Sequence, residues 1–314
     1  MSAARAIGLL LGVVADGAIG DPRRGRPGTG LATVAAAARN RLYADHPAPG
    51  IAYAGTLAGG AVLAGVLVER VGRRHPLLQV AGTAAATWSV LGGARLVTEG
   101  TELARDLETG DLDSARGTLS TLDGRSTEDL DVPALSRASV ETVAGQTSAA
   151  VVSPLVWGAI AGVPGLLGSR AVTLARAAAE PRVPRYRRFG WVAARLDELV
   201  GLLPTRVAAL LTVTGAPVVG GSANRAWEAW HRDTVVHPSP NEGRVEAAFA
   251  GALEIRLGGR TVYPHGVEEQ PVLGNGRNPD AGHVTRAVEL SRVVGWLAGA
   301  TSAALALTLG LRRR

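Results

Sequence analysis

The sequence predicts an all-α, polytopic integral membrane protein with about four to six membrane segments and partly helical polar loops. Hydrophobic residues make up 46% of the chain and charged residues only 19%, whereas a soluble globular protein carries roughly 25% charged residues. The apolar residues also gather into long runs without charge. Such runs are typical of segments that cross a bilayer, and they argue against one large soluble core.

The first predicted segment covers residues 6–20 and is apolar except for Asp16. A signal peptide is the alternative interpretation, because Arg5 precedes a short apolar stretch. The second segment, residues 51–68, has no charged residue. At about 1.5 Å per residue it nearly crosses a hydrocarbon core of about 30 Å. Its residues Gly55 and Gly59 have the spacing that allows helices to approach closely in lipid.

Four further apolar stretches complete the prediction. Residues 77–97 follow the second segment after a short link, which predicts a helical hairpin, and residues 293–311 carry no charge. Residues 149–167 and 199–221 contain internal prolines, so we expect either kinked spans or broken helices at membrane depth. The polar loops between the segments are residues 98–148, 169–198 and 222–292. The first of these loops is expected to form amphipathic helices, because its leucines recur near helical spacing.

The types of basic residue and the lack of cysteine exclude several chemistries. The chain has no cysteine, and all 33 of its basic residues are arginine. Thiolate nucleophiles, Schiff-base lysines and lysine-containing phosphate loops are therefore excluded. The net charge of +6 fits arginines at the edges of membrane loops, where they contact lipid headgroups. We expect no nucleic-acid binding, because no zinc-finger spacing or aromatic-basic pattern is present.

Two early motifs are candidate sites for charged ligands. Asp21 lies between Gly20 and Pro22 beside an apolar segment, where it is either a magnesium ligand or part of an ordinary turn. Residues 124–127 combine a glycine, Arg125, Ser126 and Thr127. This group suits an anion, but Ser126 or Thr127 could instead cap a helix.

Two acidic positions are further candidates. Glu141 lies in a helix-like stretch that runs toward the membrane, as a site residue or on a solvated helix face. Asp197 and Glu198 follow Arg195 directly before an apolar run. Paired carboxylates can hold magnesium together with bound phosphates, and a surface ion pair with Arg195 is the alternative.

The last candidate is the string His237-Pro238-Ser239-Pro240-Asn241. Two prolines hold the backbone rigid around an imidazole, a hydroxyl and an amide, which suits a binding loop. A purely structural histidine is the alternative. Zinc is not expected, because the other histidines do not have metal-ligand spacing with His237.

Taken in order, these motifs resemble the CobD/CbiB cobalamin-biosynthesis family over nearly the whole chain. The resemblance rests on the Gly-Asp-Pro, Gly-Arg-Ser-Thr and His-Pro-Ser-Pro-Asn motifs. It also rests on Glu-Thr-Val-Ala at 141–144, Phe-Gly-Trp at 189–191, Ala-Ala-Arg-Leu-Asp at 193–197, Ala-Gly-Ala-Leu at 250–253 and Arg-Leu-Gly-Gly at 256–259.

This resemblance implies adenosylcobinamide-phosphate synthase activity in the bacterial inner membrane. In that reaction adenosylcobyric acid is joined by an amide bond to (R)-1-amino-2-propanol O-phosphate, with hydrolysis of ATP. It implies ATP and magnesium as cofactors, a corrinoid as substrate, and other pathway enzymes or a second copy of the chain as partners.

The resemblance also implies roles for the candidate residues. The residues expected at the reaction centre are Asp21, Glu141, Asp197 and Glu198, of which Asp21, Glu141 and Asp197 are the candidate magnesium ligands. The residues expected to bind substrate are Arg125, Thr127, Arg195, His237, Ser239 and Asn241.

The chain departs from the family pattern at acidic positions. Residues 145–149 read Gly-Gln-Thr-Ser-Ala, and Arg176 stands where the family has an aspartate. These departures favour a second hypothesis, in which the chain is a catalytically degenerate member that acts as a membrane scaffold or an AmpE-like signalling protein. A transporter is disfavoured, because the three clean segments have no charge at mid-span.

Overall fold

The computed structural model describes residues 2–20, 27–180, 183–234, 239 and 241–311. Helices dominate this part of the chain. They are α1 (Ser2–Ile19), α2 (Pro27–Leu42), α3 (Pro47–Gly72), α4 (Pro76–Val90), α5 (Gly93–Thr109), α6 (Leu112–Leu122), α7 (Val132–Gln146), α8 (Ser153–Ala179), α9 (Arg187–Gly215), α10 (Ala223–Asp233), α11 (Glu242–Leu253) and α12 (Ala281–Leu311). A π-helical turn (Thr147–Val152) joins α7 to α8, and short 3₁₀ turns (Pro184–Tyr186 and Ala216–Val219) flank α9.

The structure confirms a multi-pass membrane protein. Five helical stretches among the described residues are long and apolar enough to cross a membrane: Ser2–Ile19, Pro47–Gly72, Val132–Ala179, Pro184–Val219 and Ala281–Leu311. Large apolar side chains on these helices face outward; Leu63 of α3, for example, is 66% exposed. Such a surface requires an apolar solvent, and the bilayer supplies it.

The predicted segment at residues 77–97 is not one continuous helix. Helix α4 ends at Val90, and Leu91 adopts an extended conformation with ψ 141°. Helix α5 then begins at Gly93. Helix α4 by itself has 15 residues, which is short of the roughly 20 needed to span a membrane.

The chain forms two compact units. The first contains residues 1–94, 149–204 and 298–314, and the second contains residues 95–148 and 205–297. Helices α9 and α12 are therefore each divided between the two units.

The first unit is a bundle of α1 to α4, α8 and parts of α9 and α12. Its core cluster packs Tyr53 and Leu57 of α3 against Phe189 of α9 and the alanines of α8. At Gly65, a Cβ atom would lie 2.5 Å from the Cα of Pro164, so α3 and α8 approach at glycine. Gly55 and Gly59 do not mediate helix packing within the described part of the chain, because a Cβ atom at either position would meet no other element within 4 Å.

The second unit contains a small sheet that the sequence analysis did not predict. Strands β1 (Leu257–Tyr263) and β2 (Gly266–Leu273) pair antiparallel around residues 264–265, with a register irregularity between Leu257 and Gly259. Helices α7, α10 and α11 pack together and against this hairpin. The predicted amphipathic helices are α5 and α6, and Leu103, Leu107 and Leu119 are buried as expected.

Helix α8 is broken at Gly162, which has φ 70° and ψ −151° inside the helix. The Glu69 carboxylate of α3 lies at the break, where it accepts a hydrogen bond from the Val163 amide at 3.2 Å. The Arg5 guanidinium of α1 donates to the same carboxylate oxygen at 2.9 Å. Three helices of the first unit are therefore joined by polar contacts at one broken turn.

Replacing Gly162 with alanine should destabilise the protein by about 1–3 kcal/mol, since non-glycine residues rarely adopt this backbone conformation. A Cβ atom at this position would also lie 1.8 Å from Glu69 Oε1. Unfolding by SDS in mixed micelles, followed by circular dichroism, measures the change. Gly60→Ala is the matched control, because open space surrounds that helical glycine. Equal stability of the two variants would contradict this account of the break.

Candidate functional site

The polar centre of the second unit is a network around Arg125, which we call the Arg125 network (Asp123, Arg125, Glu141, Thr142 and Gly258). The Arg125 guanidinium donates to Glu141 Oε2 and to Asp123 Oδ2, each at 2.7 Å. The Thr142 hydroxyl donates to the same Asp123 oxygen at 3.0 Å. The Gly258 amide donates to Glu141 Oε1 at 2.7 Å. One guanidinium and two carboxylates therefore satisfy one another.

The two side chains at the centre of the network are buried. The side chains of Arg125 and Glu141 are only 9% and 7% exposed. Burial alone would lower the pKa of Arg125, but the nearby Glu141 and Asp123 carboxylates outweigh burial and raise that pKa above its usual value. The guanidinium is thus permanently charged. The network ties the turn after α6 to α7 and to strand β1.

Glycine at position 258 makes one of these contacts possible. Gly258 has φ +82°, and a Cβ atom there would lie 2.1 Å from the carbonyl oxygen of Pro271 on β2. The register irregularity of the hairpin begins at this point. A β-bulge of this kind redirects backbone groups, and here the redirected amide reaches Glu141.

The structure decides between the alternatives for residues 124–127 and for Glu141. Helix α7 is capped by Asp131, whose carboxylate accepts from the Ala134 amide at 2.9 Å, so neither Ser126 nor Thr127 is the cap. The Ser126 amide donates to the carbonyl oxygen of Val262, and Thr127 is buried. The interpretation of Glu141 as part of a solvated helix face is wrong, because this side chain is buried.

The acidic pair at residues 197–198 lies in the first unit, on α9, and its two members have different partners. Asp197 accepts a hydrogen bond from the Thr173 hydroxyl at 3.0 Å, and it pairs with the Arg176 guanidinium at 3.5 Å. Glu198 pairs with Arg195 one turn away, on the exposed surface. The surface ion pair weighed for this motif therefore involves Glu198, whereas Asp197 faces α8 and is 20% exposed.

Two predicted residues, Asp21 and His237, lie outside the described residues, so their roles stay predictions. Of the His-Pro-Ser-Pro-Asn string, Asn241 is buried beside Thr205, whose hydroxyl lies 3.4 Å from its side-chain oxygen. The Ser239 hydroxyl accepts from the Glu242 amide at the start of α11. These two side chains fix the entry into α11.

The described residues do not fit the predicted magnesium site. Among them, no group of three or more acidic or histidine side chains is placed to hold a metal ion. Glu141 is committed to Arg125 and to a backbone amide, and Asp197 is committed to Thr173 and Arg176. The magnesium prediction therefore depends on Asp21, which lies outside the described part of the chain.

Sequence reasoning missed several members of these two clusters. Asp123, Gly258 and Thr173 were not singled out, although Asp123 stands directly before the Gly-Arg motif and Gly258 lies in the Arg-Leu-Gly-Gly motif. Arg176 was noted only as a departure from the family pattern. Its pairing with Asp197 requires α8 and α9 to lie side by side, which no sequence spacing reveals.

Removing the Arg125 guanidinium should strongly destabilise the second unit. Arg125→Met leaves the buried Glu141 carboxylate without its cation, and breaking a buried pair in this way typically costs about 3–5 kcal/mol. SDS unfolding of the purified protein measures the loss. Arg105→Met is the control, because that arginine is 70% exposed and pairs only loosely with Asp106. A loss no larger than that of the control would mean that the network does not stabilise the fold.

Comparison with known proteins places the chain in a family. The family model described as "CobD/Cbib protein" matches residues 9–291. The protein named "Cobalamin biosynthesis protein CobD" of Mycobacterium tuberculosis is 46% identical over 311 residues, which cover 99% of this chain and 97% of that protein. The protein of the same name from Chromobacterium violaceum is 31% identical over 97% of this chain and 98% of its own length.

A further relative of the same name, from Geobacter metallireducens, is 40% identical over 65% of this chain and 64% of its own length. No solved structure matches the chain. Because the family model and the first two relatives extend over nearly all of the sequence, the chain belongs to the CobD/CbiB family.

Proposed function

We propose that the chain acts in cobalamin biosynthesis as an adenosylcobinamide-phosphate synthase of the bacterial inner membrane. It would join adenosylcobyric acid to (R)-1-amino-2-propanol O-phosphate through an amide bond, with hydrolysis of ATP. The observation that carries this proposal is the 46% identity to a cobalamin biosynthesis protein over 99% of the chain. The similarity is not confined to one motif, so the polar loops are included in it.

The chemistry of this reaction suits a site of carboxylates and arginines. A carboxylate is a poor acyl donor until ATP activates it, and charge then develops on phosphate oxygens. Guanidinium groups stabilise such charge through paired hydrogen bonds. Arg195 is 60% exposed on its side chain, so it can exchange its pair with Glu198 for a phosphate. Asp197 is held in one orientation by Thr173 and Arg176, where its carboxylate can accept a proton released in the reaction.

The second candidate function is that of a membrane scaffold without catalysis. The Arg176–Asp197 pair favours it, because a guanidinium there opposes the binding of a metal ion to that carboxylate. Glu141 favours it as well, since its carboxylate is already satisfied inside the Arg125 network. Under this hypothesis the chain would serve the corrinoid pathway through other enzymes or through a second copy of itself.

Complementation separates the two candidates. The chain should restore growth of a synthase-deleted bacterium on medium where growth needs cobalamin made from cobyric acid. We expect rescue by the wild type and failure of Asp21→Ala. No rescue by a well-expressed, membrane-inserted wild type would contradict the ligase and favour the scaffold.

Asp197→Asn should lower synthase turnover at least tenfold while changing the free energy of unfolding by less than about 1 kcal/mol. The structural effect is small because the ion pair with Arg176 is partly exposed to solvent. Turnover by the purified protein and SDS unfolding give the two quantities. Glu198→Gln is the variant for comparison, because Glu198 is the adjacent carboxylate and pairs with Arg195 at the surface. If Asp197→Asn changed stability and turnover in proportion, Asp197 would have a structural role only.

A further inference from the structure

The second unit contains an open cavity of about 290 Å³ that none of the predicted site residues lines. It lies between α10, the end of α11 and the loop that follows β2. Its apolar part consists of the small residues Ala229, Ala250 and Gly251. Larger side chains at these three positions would fill the cavity.

Close backbone packing fixes the shape of the cavity. A Cβ atom at Gly251 would lie 2.2 Å from the carbonyl oxygen of Arg225, so α11 touches α10 at this residue. A Cβ atom at Gly276 would lie 1.8 Å from the carbonyl oxygen of Glu254. The loop after β2 is held by Asp233, whose carboxylate accepts from the Gly274 amide at 2.7 Å. Backbone contacts therefore fix the distance between α10, α11 and this loop.

Charged side chains of both signs line the cavity. Arg225, Glu228 and Arg232 project from one face of α10, and Glu254 follows the last residue of α11. Arg225 pairs with Glu254 at 3.0 Å, and Arg232 pairs with Asp233. Glu228 is exposed and lies one turn before Arg232, with which it interacts electrostatically. The lining therefore offers two guanidinium groups and two carboxylates.

A lining with both positive and negative groups favours a ligand that carries both charges. A nucleotide triphosphate would meet two carboxylates in the cavity. The cavity volume of about 290 Å³ is also just below the range of roughly 300–1,000 Å³ that is usual for drug-sized ligands. A corrinoid is larger still. A small zwitterion satisfies both sets of groups, because phosphate suits the guanidinium fork and ammonium suits a carboxylate.

We infer that this cavity binds a small aminoalkyl phosphate, with Arg225 and Arg232 on the phosphate and Glu228 on the ammonium group. The inference rests on the proposed function, whose amine substrate is of this chemical class. It assigns that substrate to the space between α10 and α11, apart from the Arg125 network.

Binding of three probes to the full-length chain in lipid nanodiscs, measured by isothermal titration calorimetry, tests the inference. The probes are 1-amino-2-propanol O-phosphate, propan-2-yl phosphate, which lacks the amine, and 1-amino-2-propanol, which lacks the phosphate. Glu228→Gln should weaken binding of the first probe about tenfold to hundredfold and leave the second unchanged. Arg225→Gln should weaken both phosphate-bearing probes and leave the third unchanged.

Asp113→Asn and Arg105→Gln are the matched controls, because their side chains are 96% and 70% exposed elsewhere in the second unit. They should bind all three probes as the wild type does. Unchanged binding by the cavity variants, or an equal loss for every probe, would overturn the inference. Failure of the wild type to bind the first probe, with and without ATP, would overturn it as well.

A turnover assay keeps this inference distinct from the proposed function. If the wild type makes product and both cavity variants retain its KM for the amine substrate, the cavity assignment is wrong and the synthase stands. If the wild type binds the probes with the expected selectivity and makes no product, the cavity assignment stands and the synthase does not.

Discussion

The hydrocarbon core of a bilayer offers no hydrogen-bond partner to a peptide group, so every backbone amide at membrane depth needs one inside the protein. The first unit meets this constraint at the broken turn of α8. Helix α8 departs from helical geometry at Gly162, and the Glu69 carboxylate accepts from the amide of the next residue. The Arg5 guanidinium neutralises that carboxylate. A broken membrane helix is thus stable here because two other helices bring a charge pair to it.

Arginine–carboxylate pairs also join separate elements in the second unit. In the second unit, Arg125 joins a turn, a helix and a strand through two carboxylates. Asp233 holds the loop after β2 and pairs with Arg232. A guanidinium donates several hydrogen bonds in a fixed plane, so one side chain can connect several elements. These contacts add to the buried apolar side chains of the second unit, such as Leu135, Phe249 and Leu253.

The sequence predicted the helical membrane fold well, because uninterrupted apolar length is a local property that can be counted. It also predicted that Arg125 and Glu141 matter, but it assigned them to ligands, since residue type alone does not reveal that the two side chains bind each other. The hairpin at residues 257–273 was missed because glycines and prolines weaken its alternating pattern. The ion pair between Arg176 and Asp197 and the cavity beside α10 depend on which helices pack together. That packing cannot be predicted from the residue pattern of a single sequence.

The absence of lysine and cysteine has a chemical consequence for the proposed reaction. A synthase of this kind generates an activated acyl group, and any nearby side-chain amine or thiolate would compete with the substrate for it. Guanidinium groups stay protonated at all physiological pH values and are poor nucleophiles. A protein whose 33 basic residues are all arginine therefore surrounds phosphate with positive charge while offering no side-chain amine for acylation. In the proposed synthase, this composition would leave the activated acyl group to the amine of the substrate.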